Sequence, residues 1–369
     1  MKKPLSASKI KTLQSCSWKY WCNYHLKIPG EGNDGANRGT ICHLVFECLG
    51  NKRHRHHFDK LIKDGNVWEN KAISKLIIKH AKLLKVDDAD NLELINKMIM
   101  NGLHHDFHGI DEHGKTPCES ISERDFNIKV EEGDKKYWVR GFIDKLFLWH
   151  DDNSALIRDF KTSKSVFTQS EQDDNVQELM YDLAVKKLYP NIELRQSEFV
   201  FLKFNLGNKF HQDSESGIVK NPPACQNELG GFEYFLTDIQ AATDNFSESD
   251  AHKGMAKHKP WPAKEEGFKG PLNCGFAKFP GQLKKDGSAM WHCEYKFGFD
   301  YWKLLDKDGK TINTSKIEGE LVADEKSGEY IEKARYAGCP AHFQPHQKKE
   351  EADAFSWLEE DEEEDEFAL

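Results

Sequence analysis

Alternation of apolar and polar side chains recurs in three successive runs near the middle of the chain, and helical spacing brackets them on both sides. Phe126, Ile128 and Val130 alternate, Glu131-Glu132-Gly133-Asp134 supplies a turn, and two further β-type runs joined by a turn fill Tyr137–Lys161. This pattern predicts a three-strand meander. Trp138, Arg140, Phe142 and Asp144 fall on one face of the second strand, and Ala155, Ile157, Asp159 and Lys161 on one face of the third, because side chains alternate along a strand.

Before the meander, Ser6 and Ser8 are N-cap candidates for a helix carrying Ile10 and Leu13, continued by the aromatic cluster Trp18, Tyr20, Trp21 and Tyr24. After a Gly/Asn-rich loop from Pro29 to Gly39, Ile41, Leu44, Val45, Cys48 and Leu49 form a helical stripe with His43 and Glu47 beside it, one turn apart. Residues 55–108 are periodic in the helical sense and read as an inserted helical layer, with 50–120 as its bounds. Its histidines (His54, His56, His57, His80, His104, His105, His108) lack tight ligand spacing and are expected at the surface. After the meander, Val176, Leu179, Met180, Leu183 and Leu188 mark a helix ended by Pro190, with Gln177 and Tyr181 on a neighbouring face. Glu198–Asn205 is apolar on both faces, as a central strand would be. A helix from about Gly231 to Phe246 follows, and 306–350 reads as loops and short strands. The expected class is α/β: a mixed sheet flanked by helices, with residues 1–305 as one domain, 306–349 as an extension and 350–369 as a disordered acidic tail.

Charge changes the picture in one respect. The net charge of −10 argues against a nucleic-acid partner until it is located: residues 350–369 carry −11, leaving +1 on the rest, so a basic groove remains open to the body. No run is apolar and long enough to span a bilayer, and polar residues follow Met1-Lys2-Lys3-Pro4, so no membrane association and a cytoplasmic location are expected. Nine irregularly spaced cysteines suggest reduced thiols or a metal site over a disulfide framework.

Two acids and a lysine converging at the end of a hairpin suit metal-dependent phosphodiester hydrolysis, in which carboxylates hold a hard cation and an ammonium steadies water or developing charge. The order Gly39-x3-His43, Gly141-x2-Asp144, Asp159-Phe160-Lys161-Thr162, Gln177-x3-Tyr181 resembles the RecB-like branch of the PD-(D/E)XK nuclease superfamily. Ser6-Ala7-Ser8-x-Ile10 with Cys16 and Tyr20 is similar to that branch's first helix, although Ile143 stands where the superfamily name expects proline. The resemblance covers roughly the first two hundred residues. It implies a restriction-endonuclease-like core in which His43, Asp144, Asp159 and the Phe160 carbonyl bind Mg²⁺, with Mn²⁺ a good substitute because of the imidazole. Lys161 would act on the attacking water, Gln177 and Tyr181 would contact the site and the DNA backbone, and Glu47 and Thr162 would support them.

Some members of the branch carry an iron-sulfur cluster on one N-terminal and three closely spaced C-terminal cysteines. Cys16 matches the first, and Cys274, Cys293 and Cys339 are candidates for the rest, but the tight C-x2-C spacing is missing and no cluster is expected. Zinc on Cys274, Cys293, Cys339 and His342 is an alternative with suitable ligand types and poor spacing. The acidic tail, with Phe355, Trp357 and Phe367-Ala368-Leu369, resembles the C-terminal tips of single-strand-binding proteins and reads either as a docking site for replication and recombination proteins or as a solubilising tail. The expectation is a DNA exonuclease, or a flap or end-processing nuclease, of recombination, repair or phage DNA metabolism. Its competitors are an inactive DNA-binding scaffold on the same fold and a histidine-rich metal protein without nuclease activity.

Overall fold

The computed structural model describes residues 1–30, 32–110, 114–167, 175–204, 217–256 and 274–342. Its helices are α1 (Ala7–Ser15), α2 (Ser17–Trp21) followed by a π-helical turn at Cys22–Leu26, α3 (Asp34–Gly50), α4 (Arg55–Asp64), α5 (Lys71–Leu83), α6 (Ala89–His104), α7 (Val176–Leu188), α8 (Gln226–Asp244) and α9 (Glu248–Lys253). The alternating runs become β1 (Glu119–Glu132), β2 (Lys135–Trp149) and β3 (Ser154–Lys161), an antiparallel meander. β4 (Leu194–Phe201) pairs with β3 in parallel, β5 (Ile218–Asn221) pairs antiparallel with β4, and the order is β1-β2-β3-β4-β5. A parallel neighbour needs a crossover, and α7 lies in it.

Helices cover both faces of this mixed sheet. On one, Ile41, Val45 and Phe46 of α3 pack with Ile77 of α5, Met98 and Ile99 of α6, and Phe160 and Val200 from the strands. On the other, Val139, Ile143, Leu146 and Ile157 pack with Met180 and Ala184 of α7 and with Leu229 and Phe232 of α8. Each such fully buried side chain contributes about 1.5–3 kcal/mol of hydrophobic free energy. The odd-to-even change between Ile143 and Leu146, both in the same cluster, means that β2 switches phase around Asp144.

The chain divides into two compact units, one of Met1–Ile10 and Gly32–Asn245, the other of Lys11–Glu31 and Phe246–Leu369. The second holds a three-stranded sheet, β7-β6-β8, built from β6 (Phe297–Leu305), β7 (Thr311–Ser315) and β8 (Tyr330–Gly338). Its core gathers Trp18, Cys22, Met255, Tyr295, Tyr301 and Tyr336.

Several expectations need correction. The first helix breaks at Cys16, whose extended backbone (φ −159°) ends α1 and starts α2. α3 begins at Asp34, inside the expected loop, because the Asn33 side chain accepts from the Ala36 N–H at 2.8 Å and caps it. α8 begins at Gln226, five residues early, on a capping box between Cys225 and Glu228. The strand expected at Glu198–Asn205 is interior, paired with β3 and β5, but it starts earlier, at Leu194, and ends at Phe201; Asn205 lies outside the described residues. His105 is buried, with Nε2 3.9 Å from a Glu198 carboxylate oxygen, so the histidines are not uniformly superficial. The expected acidic tail, 350–369, lies outside the described residues.

Candidate active site

The β2–β3 ladder ends at Lys145↔Arg158, and the next residues on the two strands are Asp144 and Asp159. Where the strands part, the Asp144 side chain replaces a ladder bond: its Oδ2 accepts from the Phe160 N–H at 2.7 Å. A backbone donor is thereby satisfied by a carboxylate, and the Phe160 carbonyl is held beside it. On the other side of β2, Glu123 of β1 stands opposite Asp144, between the pairs Ser122↔Lys145 and Arg124↔Ile143. Glu123 has φ +49°, a left-handed backbone unusual for a side-chain-bearing strand residue and one of the strained conformations found at functional sites.

α3 brings the imidazole. His43 Nδ1 lies 3.4 Å from Asp144 Oδ1 and 3.8 Å from Glu123 Oε1. The helix can approach because Gly39, one turn earlier, has no side chain: a Cβ there would come within 2.9 Å of the Thr162 hydroxyl at the end of β3. Thr162 Oγ1 in turn donates to the Gly35 carbonyl at 3.4 Å. Glu47, one turn beyond His43, is exposed.

α7 completes the group. Asn175 caps it with its side-chain oxygen, fixing the first turn from which Gln177 projects. Gln177 Nε2 donates to Asp159 Oδ1 and to Tyr181 Oη, both at 2.7 Å, and its Oε1 accepts from Lys161 Nζ at 2.7 Å. Tyr181 Oη also donates to Asp159 Oδ1, at 3.4 Å. Lys161 Nζ is 2.6 Å from Asp159 Oδ2, an ion pair whose buried oxygen accepts no well-aligned hydrogen bond. That oxygen has lone pairs to offer.

Electrostatics follow from crowding acids in a partly dry site. Burial, and after it the charge of Asp159, push the Asp144 carboxyl up to about 6 despite the opposing His43. Burial opposes the charged form of His43, yet the carboxylates of Asp144 and Glu123 prevail and raise it to about 10, so with no other cation the ring is an imidazolium. Burial and then the charges of Asp159 and Asp144 raise Tyr181 far enough that its hydroxyl stays a neutral donor. Among the described residues, His43, Glu123 and Asp144 are the trio of metal-ligating types whose donor atoms lie within 4.8 Å of one another. Two carboxylates and an imidazole fit a divalent cation, and the proton on His43 is the charge such an ion would displace; Asp159, whose charge both Asp144 and His43 feel, stands outside that trio.

The sequence model of the PD-(D/E)XK nuclease superfamily matches residues 4–260, well over half of the chain. The chain belongs to this superfamily. Its nucleases are hydrolases that act on phosphodiester bonds and use divalent metal ions. No curated relative matches the sequence. The expected motif residues Asp144 and Asp159-Phe160-Lys161 lie at the splayed ends of β2 and β3, inside the matched region. Sequence reasoning missed Glu123. The signal available was an acid eighteen residues before Gly141, but nothing local announced the left-handed residue that turns it towards Asp144. Among the described residues, no helix is long and apolar enough to cross a membrane.

In the second unit the fold does something the spacing did not suggest. Cys16, Cys274, Cys293 and Cys339 line one cavity together with Lys19, Lys296 and His342.

Proposed function

We propose that the chain is a metal-dependent DNA exonuclease of the RecB-like branch, acting in recombination, repair or phage DNA metabolism. The observation that supports it best is the meeting of His43, Asp144, Asp159, Lys161 and Gln177, drawn from α3, the splayed ends of β2 and β3, and α7, in the order of the branch's motifs. His43, Asp144, Asp159 and the Phe160 carbonyl hold Mg²⁺, with Glu123 as a fourth side-chain ligand, and the imidazole suits Mn²⁺ as a substitute. Bound there, the ion supplies charge for the scissile phosphate and a water of lowered pKa.

The other roles belong to the chain's own groups. Lys161, held between Asp159 and Gln177, orients the attacking water and offsets negative charge developing on the phosphate. Gln177 fixes Lys161 and Asp159 at once, and Tyr181 keeps Gln177 in place as a neutral donor. Thr162, tied to the start of α3, stands where the DNA backbone passes the strand end. The acidic tail docks replication or recombination proteins.

Digestion of end-labelled linear, circular, single-stranded and duplex DNA with Mg²⁺ or Mn²⁺ tests this reading beside Asp159→Ala. Linear DNA is expected to shorten from its ends while circles persist, and Asp159→Ala to be inert. Nicked circles would remove the exonuclease assignment, and an active Asp159→Ala would remove the site.

A further inference from the structure

Outside the nuclease site, the chain between Cys274 and Cys293 of the second unit folds back on itself as a narrow antiparallel ribbon. Bridges at Gly275↔His292 and Leu283↔Ala289 mark its two ends. Between them the Phe276 N–H donates to the Trp291 carbonyl at 3.2 Å, and the Met290 N–H to the Gln282 carbonyl at 2.8 Å. The turn is closed by the Lys284 N–H on the Ser288 carbonyl at 2.8 Å, with Gly287 at φ +80° and Asp286 Oδ1 accepting from the Ser288 N–H at 2.9 Å. One arm is braced further, since the Lys278 N–H donates to Gln282 Oε1 at 2.6 Å. The backbone of the ribbon is thus held by its own hydrogen bonds.

Its side chains are not those of a solvated hairpin. Phe276, Phe279, Leu283 and Trp291 are 53%, 58%, 59% and 57% exposed. None of the three rings meets another aromatic ring among the described residues, so their faces are open. Phe276 and Trp291 stand on facing arms, joined by the hydrogen bond between their backbones. Exposed apolar surface rimmed by charge marks an interaction site. The charge here is cationic: Lys278 lies between Phe276 and Phe279, and Lys284 and Lys285 lie at the turn, against a single acid, Asp286. All three lysines are exposed, and none is in an ion pair with a described residue.

The order of these residues chooses among the partners that use such surfaces. A hairpin that wedges into a membrane carries its apolar side chains at the tip, whereas this tip reads Lys284-Lys285-Asp286-Gly287-Ser288 and the aromatic residues lie along the arms. The centre of a protein interface is poor in lysine, and here Lys278 is interleaved with the rings. Duplex DNA would satisfy the lysines and leave the rings unpartnered, because its bases are already stacked on one another. A single strand offers both an open π face for each ring and a phosphate for each lysine. We propose that the ribbon of residues 276–291 is a binding surface for single-stranded DNA, with bases stacked on Phe276, Phe279 and Trp291 and phosphates held by Lys278, Lys284 and Lys285. The choice of DNA as the polymer rests on the proposed function, which this inference deepens by naming the state of the strand. It uses none of the residues of the nuclease site.

The full chain, in EDTA so that binding is read without metal-dependent cleavage, is to be titrated onto a labelled oligothymidine and a labelled duplex of equal length. Phe276→Ala, Phe279→Ala and Trp291→Ala should each weaken single-strand binding by about five- to a hundredfold, the usual loss for one stacked base, and leave duplex binding within about twofold. Lys284→Ala combined with Lys285→Ala should lower the slope of log affinity against log salt by about 1.4. Val322→Ala, at a side chain 81% exposed elsewhere in the unit, should change neither. A single strand carrying 5-iodouracil should crosslink on illumination to peptides from 276–291 of the unaltered chain, so a misfolded variant leaves the test intact. Unchanged single-strand affinity in the three aromatic variants would overturn the proposal, as would crosslinks confined to other segments or equal losses on single strand and duplex. So would a wild type that ignores DNA and instead binds anionic vesicles or dimerises through these rings. A chain that binds single strands through the ribbon yet cleaves nothing once Mg²⁺ is in excess counts against the proposed function alone, and cleavage with an indifferent ribbon counts against this inference alone.

Discussion

Two groups of acids sit on the same sheet and are built on opposite principles. At one end of the β2–β3 ladder, Asp144, Asp159 and Glu123 crowd one another with one imidazole and one lysine among them. One turn of strand away, Glu198 of β4 meets the Arg158 guanidinium, which also donates to the Asp106 carbonyl at 2.8 Å. Burial opposes the charge of both groups. At Glu198 the arginine prevails and holds the carboxyl down to about 2, while at Asp144 the neighbouring Asp159 adds to burial and pushes it up to about 6. Glu198 is completed by the protein. On the proposed function, Asp144 is completed by a bound cation, and that difference would separate a structural acid from a ligand better than burial does.

The largest effect expected from this contrast is at the site. Asp144→Asn keeps an oxygen for the Phe160 N–H but removes the charge, so metal-dependent cleavage should vanish. The same change should raise the melting temperature of the metal-free protein above pH 6. The sign follows from linkage: a carboxyl whose folded value lies above its ordinary 3.8 contributes fully below that value and loses the contribution as pH rises through about 6. A lower melting temperature in the metal-free variant at pH 7.5 would show that the acids at the site are structural after all.

Glu198→Gln should do the reverse. Removing one partner of a buried ion pair costs about 3–5 kcal/mol. Its pH dependence has the opposite sign from that of Asp144. With a folded value near 2 against an ordinary 4.5, the stabilisation is complete above pH 4.5 and is lost as pH falls towards 2. Denaturant titrations should therefore show a gap between wild type and variant at pH 7 that closes in acid. Cleavage per folded molecule should persist, and its loss would join the two acid groups into one functional unit.

Lys161→Ala sharpens the comparison from the cationic side. Arg158 is fully buried and holds its acid closed, whereas Lys161 keeps about a fifth of its side chain exposed. The variant should bind metal as wild type does, by calorimetry with Mn²⁺, while cleavage slows by about 10²–10³-fold, the usual loss for one charge-stabilising group. Lost metal binding would make Lys161 a structural counter-ion to Asp159, as Arg158 is to Glu198.

How much of this could be read beforehand differs between residues for physical reasons. Asp159 and Lys161 were legible as neighbours because strand alternation is local, Asp144 through the order of motifs in spite of the phase switch, and His43 because a helical stripe placed it beside a buried face. Glu123 was not, since its approach to Asp144 depends on a left-handed backbone and on a phase switch shared by two strands, neither of which has a periodic signature. The break at Cys16 escaped for a similar reason: α1 and the π-helical turn both continue helical spacing, and only an extended φ interrupts them. Cys16, Cys274, Cys293 and Cys339 were picked out as candidates, but their meeting in one cavity was not legible. Linear spacing reports ligand sets held in one turn, and these four are gathered by strand pairing and a sulfur-accepting hydrogen bond between distant segments.

The smallest effect is expected at a third acid, Glu178 of α7. It is buried, accepts from the Asn221 side-chain amide and has Glu228 and Asp182 nearby, but no arginine answers it among its described partners. Burial, then those two carboxylates, push it up to about 7, so between pH 4.5 and 7 the folded protein keeps a proton there that the unfolded chain, at 4.5, loses. Its folded value being the higher, the associated stability is intact below pH 4.5 and drains away as pH rises through 7. Glu178→Gln substitutes a permanently neutral side chain of the same shape. Above pH 7 the variant should be the more stable protein, by something on the order of 1 kcal/mol, and near pH 5 the advantage should disappear. Cleavage should be unchanged, because Gln177 keeps its position at the start of α7 through the Asn175 cap. If Glu178→Gln instead destabilises at every pH, the carboxyl is ionised in the fold, and Glu178 belongs with Glu198 as an acid that the protein itself completes.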